Sequence, residues 1–204
     1  MFAPEEEPCA LLSFGRGCNA GDVGAARTCF ASKRLACVAA GWKHSMAATY
    51  NGDVYVWGWG HGITDDAEEP ELVKSLALHR ALWQLRFVAV ASGGDFCLAV
   101  SENGTVWSWG GNSEGQCGLG VDESARVPRV LLGLQCVHVS QVACGGSHCL
   151  ARTDAGSLFS WGRGAHGCLG LGDVVSRATP VRVKVVFVFC GVCALLTRCR
   201  RCSM

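Results

Sequence analysis

The chain is predicted to be all-β, built from four-stranded antiparallel sheets, one per repeat unit, set radially around a common axis. Three observations predict this. Val38-Ala39-Ala40-Gly41 returns as Val90-Ala91-Ser92-Gly93 and again as Val142-Ala143-Cys144-Gly145, a step of 52 residues (38 to 90 to 142) taken twice. Trp57-Gly58, Trp109-Gly110 and Trp161-Gly162 keep the same step. Glycine is abundant, 27 of 204 residues, while charged residues make up only 17%; this suits short strands and tight turns better than long helices. One such sheet cannot cover its own apolar faces, and repetition around an axis lets each sheet cover the next.

The elements of a unit follow in order. Residues 38–49 run from a Gly turn through alternating small and larger side chains to Thr49, as a half-buried strand does. The matching glycines of the later units are Gly93 and Gly145. A hairpin tip comes next, at Asn51-Gly52, Asn103-Gly104 and Ala155-Gly156. Asn-Gly is a strong hairpin signal because both central residues of a type I′ turn need positive φ. The returning strands, Asp53 to Trp57, Thr105 to Trp109 and Ser157 to Trp161, alternate β-branched and aromatic residues, and each closing Trp offers a large area for packing between sheets. A Gly-rich segment follows, clearest from Gly110 to Gly120, then a Pro-marked strand, Val127-Pro128-Arg129-Val130. In the first unit, Thr64 to Pro70 reads as an acidic loop. Glu71 to Leu85 reads either as a surface helix, from Leu72, Leu76, Leu82 and Leu85, or as a divergent outer strand.

The formal charge of +1 implies no strong pull toward nucleic acid or anionic membrane. Arg126, Arg129, Arg152, Arg163 and Arg177 are scattered, without the basic stripe that phosphate contacts demand. Fourteen cysteines are present, but Cys97 and Cys149 sit at equivalent places in apolar runs, where a small buried hydrophobe fits. Free thiols in a reducing compartment are expected, and with no signal segment at the start the location is read as cytoplasm or nucleus.

At this point the residues resemble a known family. Ala143-Cys144-Gly145-Gly146-Ser147-His148-Cys149, then Gly156, Trp161-Gly162 and Gly167-Cys168-Leu169-Gly170-Leu171-Gly172, resemble the regulator of chromosome condensation repeat. The unit at 90–120 is similar, with Phe96 at the His position, and the unit at 38–60 keeps His44 and Trp57. Ser13-Phe14-Gly15-Arg16-Gly17 is similar to Ser160 to Gly164, so a partial unit opens the series. The organisation read from this is a leader over 1–11 and repeats over 12–182. The units lie near 12–37 (partial), 38–89, 90–141 and 142–182, and a non-repeat, Cys-rich tail covers 183–204. The resemblance implies blades of a seven-bladed β-propeller. Seven units at this spacing need far more than 204 residues, so the chain is expected either as a truncated form or as an arc completed by another chain. Three readings of the tail stay open: unrelated sequence from splicing or a gene-model error, a short membrane anchor, or zinc held by Cys190, Cys193, Cys199 and Cys202.

No catalytic, cofactor-binding or metal-binding set stands out. Gly41, Gly52, Gly93, Gly104, Gly145, Gly156, Trp57, Trp109 and Trp161 are structural repeat positions. His44 and His148 share one such position with Phe96, an exchange that a metal or acid/base role would not survive. His61 and His166 flank glycines without a partner in the sequence. Gly110 to Gly120 lacks the Gly-Lys-Ser/Thr ending of a phosphate loop, and no Gly-x-Ser-x-Gly elbow occurs. The function expected is a protein-interaction scaffold rather than an enzyme. Lys43, Asp95 and Ser147, which share one repeat position beside a turn, are its candidate interaction face. The resemblance implies an alternative, guanine-nucleotide exchange on a small GTPase by surface contact without a cofactor. A non-functional truncated product is the third reading.

Overall fold

The computed structural model describes residues 33–58, 67–72, 85–120 and 124–184. The leader, most of the partial unit before residue 38, His61 and the tail from residue 185 lie outside the described residues. Among the described residues, twelve strands form three four-stranded antiparallel sheets. The first contains β1 (Leu35–Ala40), β2 (His44–Thr49), β3 (Val54–Gly58) and β4 (Ala67–Leu72). The second contains β5 (Phe87–Ser92), β6 (Phe96–Ser101), β7 (Val106–Gly110) and β8 (Ala125–Val130). The third contains β9 (Val139–Cys144), β10 (His148–Thr153), β11 (Leu158–Gly162) and β12 (Arg177–Arg182). Within each sheet the strands pair in sequence order. The first strands lie beside one another, β1 against β5 and β5 against β9, so they form the inner edge of the arc. This is a partial β-propeller.

Two apolar seams hold the sheets together. Met46, Ala48, Val54 and Val56 of the first sheet pack against Cys97, Ala99, Trp107 and Trp109 of the second. Phe96, Leu98, Val100 and Val106 of the second pack against Cys149, Ala151 and Trp161 of the third. Strand alternation explains this: neighbouring residues of β6 point to opposite faces and so serve opposite seams. Trp109 and Trp161 are fully buried. An indole removes roughly 200 Å² from water, about 5 kcal/mol at the usual area coefficient.

Three local expectations need correcting. Residues 38–49 do not form one strand led by a Gly turn: the turn, Gly41-Trp42-Lys43, lies inside that span and separates β1 from β2, with the Gly41 amide donating to the His44 carbonyl at 2.8 Å. The part of the acidic loop from Ala67 onward is not a loop but the start of β4, which pairs with β3 through Gly58↔Ala67, Val56↔Glu71 and Tyr55↔Leu72. Pro70, Pro128 and Pro180 each take the fourth place of an outer strand. That strand has a single neighbour in its sheet, so the missing amide costs no ladder bond on the open side.

The hairpin tips are not type I′ turns either. Positive φ falls on the glycine alone, Gly52 at 86° and Gly104 and Gly156 at 78°. The glycine amide donates back to Thr49, Ser101 or Thr153. The pattern is a three-residue loop, a turn followed by one left-handed residue, and it explains why Ala155 can stand where the other units have Asn. Thr49 and Thr153 tighten their loops further, each hydroxyl accepting from the amide of Asp53 or Ser157 at 3.1 Å.

Candidate functional site

The hairpin topology puts the three tight turns Trp42-Lys43, Gly94-Asp95 and Gly146-Ser147 at one end of the sheets. The long loops that follow β7 and β11 leave from the same end. The second and third turns are linked to each other and to those loops through the backbone. The Gly94 amide donates to the Gly146 carbonyl at 2.9 Å, the Gly111 amide to Asp95 at 2.8 Å and the Arg163 amide to Ser147 at 2.9 Å. These bonds fix where the Asp95 and Ser147 side chains stand.

Each turn opens on a glycine for a steric reason. A Cβ at Gly41, Gly93 or Gly145 would run into the ring of His44, Phe96 or His148, three residues later in the same turn. That ring is folded back over the glycine and, in the first two units, directed toward the next sheet. His44 Nε2 lies 2.5 Å from Ser92 Oγ and 3.3 Å from Cys97 Sγ. Phe96 is fully buried in the core cluster that holds Cys149, with Cys144 packed against it. His148 is half-buried, and among the described residues no sheet follows it.

The structure brings Lys43, Asp95 and Ser147 onto this one face, but not to equal exposure. Lys43 and Asp95 are exposed, whereas Ser147 is half-buried. The Asp95 carboxylate is not free: Oδ1 accepts from Gln116 Nε2 at 3.3 Å. Gln116 is itself buried, and its Oε1 accepts from the Glu114 amide at 2.8 Å. Asn112 Oδ1 accepts from the Cys117 amide at 2.8 Å. The Gly110–Gly120 segment is thus a self-bonded loop that braces Asp95.

Trp42 is the residue that sequence reasoning missed. It is 75% exposed and lies across Gly94 and Gly146, close enough that a Cβ on either glycine would sit about 3.1 Å from the indole. The signal was present in the sequence, since position 42 is aligned by the repeat step with Gly94 and Gly146. A large aromatic at a position glycine holds elsewhere covers its neighbours and still offers most of its own surface.

The titratable groups nearby have structural chemistry. Burial raises the Cys97 and Cys149 thiols well above their ordinary range and pushes Cys117 up to about 11, so these thiols stay protonated at neutral pH. At the loop after β11, the Val175 amide holds the Asp173 carboxyl below its usual range, helped by Arg177 at 2.7 Å. His166 is exposed in a short 3-10 turn, Ala165–Gly167, with φ 60°. Among the described residues no group of three or more His, Cys, Asp or Glu could hold a metal ion, and no helix is long and apolar enough to cross a membrane.

Comparison with known proteins agrees with this geometry. Two profiles described as the regulator of chromosome condensation (RCC1) repeat match, one over residues 103–152 and 155–192, the other over 36–61, 87–116 and 139–168. The chain is similar to the ultraviolet-B receptor UVR8 of Arabidopsis thaliana, 37% identical over 171 residues, spanning 78% of this chain and 38% of the receptor. It is also similar to the human E3 ubiquitin-protein ligase HERC2, 35% identical over 175 residues, spanning 83% of this chain and 3% of the ligase. Among solved structures, yeast RCC1 (Prp20) bound to Kap60 superposes with a TM-score of 0.62 at 22% identity, covering 72% of this chain and 36% of that one. The chain therefore spans well under half the length of these relatives.

Proposed function

Because the chain belongs to the regulator of chromosome condensation repeat family, we propose that it is a protein-interaction scaffold that presents Trp42, Lys43, Asp95 and Ser147 to a partner protein. The observation that carries the proposal is Trp42. A 75%-exposed indole, lying across two turns that are hydrogen-bonded to each other, is the type of side chain that anchors protein interfaces. The flanking Lys43 and Asp95 add polar contacts of both signs, and such a surface orients a partner without favouring nucleic acid. Buried free thiols support the cytoplasm or nucleus as the place of action.

The test compares the two ends of the sheets. Wild type, Trp42→Gly, which installs the residue of the other two units, and Tyr50→Ala at the opposite end are each used as bait in native cell extract. The expected result is a partner kept by wild type and Tyr50→Ala and reduced at least tenfold by Trp42→Gly. A partner set that ignores Trp42→Gly would sink the reading.

Guanine-nucleotide exchange remains the second reading. A solved structure of Prp20p from Saccharomyces cerevisiae is described with its binding properties to Gsp1p and histones, and at 22% identity that likeness carries the fold alone. Release of fluorescent nucleotide from a panel of small GTPases decides it: rates at background for every member remove exchange and leave the scaffold.

A further inference from the structure

We propose that Cys144 and Cys149 form an oxidation-sensitive pair that closes to a disulfide in response to a small-molecule disulfide. The two residues face each other across β9 and β10. The turn beyond them is closed by the Gly145 amide donating to the His148 carbonyl at 2.8 Å, which makes the Cys144–Cys149 rung a non-hydrogen-bonded one. Such rungs hold their Cα atoms about 4.5 Å apart, within the ~4.4–6.8 Å that disulfides span. The sulfurs lie 3.8 Å apart, in van der Waals contact and within reach of a bond by side-chain rotation.

The repeat shows that this rung is peculiar to the third sheet. The matching pair is Ala40–Ser45 in the first sheet and Ser92–Cys97 in the second. Among the three described rungs, two thiols meet only at Cys144–Cys149, and serine occurs naturally at both positions of the rung. The two thiols also differ in access, Cys144 being half-buried and Cys149 buried. Access assigns the order of events. The Cys144 thiolate attacks one sulfur of the small disulfide, which breaks its S–S bond, forms a mixed disulfide and releases one small thiol. Cys149, protonated at rest, passes its proton to the departing small thiolate as its sulfur attacks the Cys144 sulfur, which expels the second small thiol. Two protein thiols are oxidised, one small disulfide is reduced to two thiols, and the two protons end on them.

The test incubates the full chain with oxidised glutathione, alkylates the remaining thiols and maps disulfides by tandem mass spectrometry. The expected product is a Cys144–Cys149 link that excess dithiothreitol reverses. Cys144→Ser should abolish the link, Cys149→Ser should strand glutathione on Cys144, and Cys136→Ser should leave the link intact. Circular dichroism confirms that the serine variants are folded, as the natural serines at matching positions lead one to expect. Any of three results overturns the proposal: Cys144 joined instead to Cys97, Cys117 or Cys136, a glutathione adduct on wild-type Cys144 that never resolves, or Cys144 left free while the exposed Cys136 and Cys168 react.

Discussion

At the seam between the first and second sheets, His44 reaches across to Ser92 and Cys97 by hydrogen bonds. At the seam between the second and third, the matching residue is Phe96, and it lies among apolar neighbours and thiols. The residue opposite changes with it, Ser92 in one seam and Cys144 in the other, while Cys97 and Cys149 stay the same. Polar ring faces hydroxyl, and apolar ring faces sulfur. The loops differ as well. After β7, the Gly110–Gly120 loop closes over the third sheet, where the Gln116 carbonyl accepts from Trp161 Nε1 at 2.9 Å and from the Cys149 thiol at 3.4 Å, and the Gly120 amide donates to Ala178 at 2.9 Å. After β3 the connection, residues 59–66, is shorter than 111–124, and the connection onward, 73–86, is correspondingly longer than 131–138. Trp109 Nε1, buried at the place of Trp161 Nε1, has no hydrogen-bond partner among the described residues. A repeat position therefore specifies a place in the fold, while the chemistry at that place is set by the residue facing it across the seam.

The largest expected effect separates the two indoles. Trp161→Phe removes volume and also leaves the buried Gln116 carbonyl short of a donor, for a loss of about 3–5 kcal/mol. Trp109→Phe removes the same volume but breaks no such bond among the described residues, so it should cost about 1–2 kcal/mol less. Urea midpoints of the two variants measure the difference. Equal losses would mean that the loop from the second unit adds nothing to the second seam.

The facing pairs can be exchanged between seams. His44→Phe strands the Ser92 hydroxyl against an apolar ring and should cost about 1–3 kcal/mol. Adding Ser92→Cys rebuilds the second seam's pairing inside the first and should recover part of that loss, with a coupling of about 0.5–3 kcal/mol in a double-mutant cycle. Phe96→His with Cys144→Ser runs the exchange the other way. Simple additivity in both cycles would show that the matched pairs are accidents of the sequence.

These seams also show what could be read from residues alone. The period, the Trp-bearing returning strands and the four-stranded sheets were legible because 52-residue spacing, aromatic alternation and turn glycines are properties of single positions. The β1–β2 reversal was legible only as a turn at Gly41, since Trp42 stands where Gly94 and Gly146 mark the same turn elsewhere and the strand before it went unread. β4 was hidden by its charge: Glu68, Glu69 and Glu71 look like a solvated loop, although Pro70 matched Pro128 and Pro180 as the sign of an outer strand. The matched pairs across the seams could not be read, because they join positions some 48 residues apart that meet only when sheets pack. Of the candidate face, the shared repeat position of Lys43, Asp95 and Ser147 was legible. The bracing of Asp95 by Gln116 was not, because it depends on how a glycine-rich loop folds back.

The smallest expected effect tests an inner unit against the last described one at matched backbone geometry. Gly104 and Gly156 both have φ of 78°, so alanine at either pays the same left-handed strain, about 1–2 kcal/mol. Their surroundings differ. A Cβ on Gly104 would meet the ring and backbone of His138, its Cα at 2.8 Å, whereas nothing lies within 4 Å of a Cβ on Gly156. Gly156→Ala should therefore show the strain alone, and Gly104→Ala the strain plus the displacement of the strand entry into the third sheet, about 1–3 kcal/mol more. Chemical denaturation of the two variants side by side reads this gap directly. If the two lose the same stability, the approach to β9 yields without cost, and the rigidity of the second seam rests on its Trp161 and loop contacts rather than on the close fit of turn against turn.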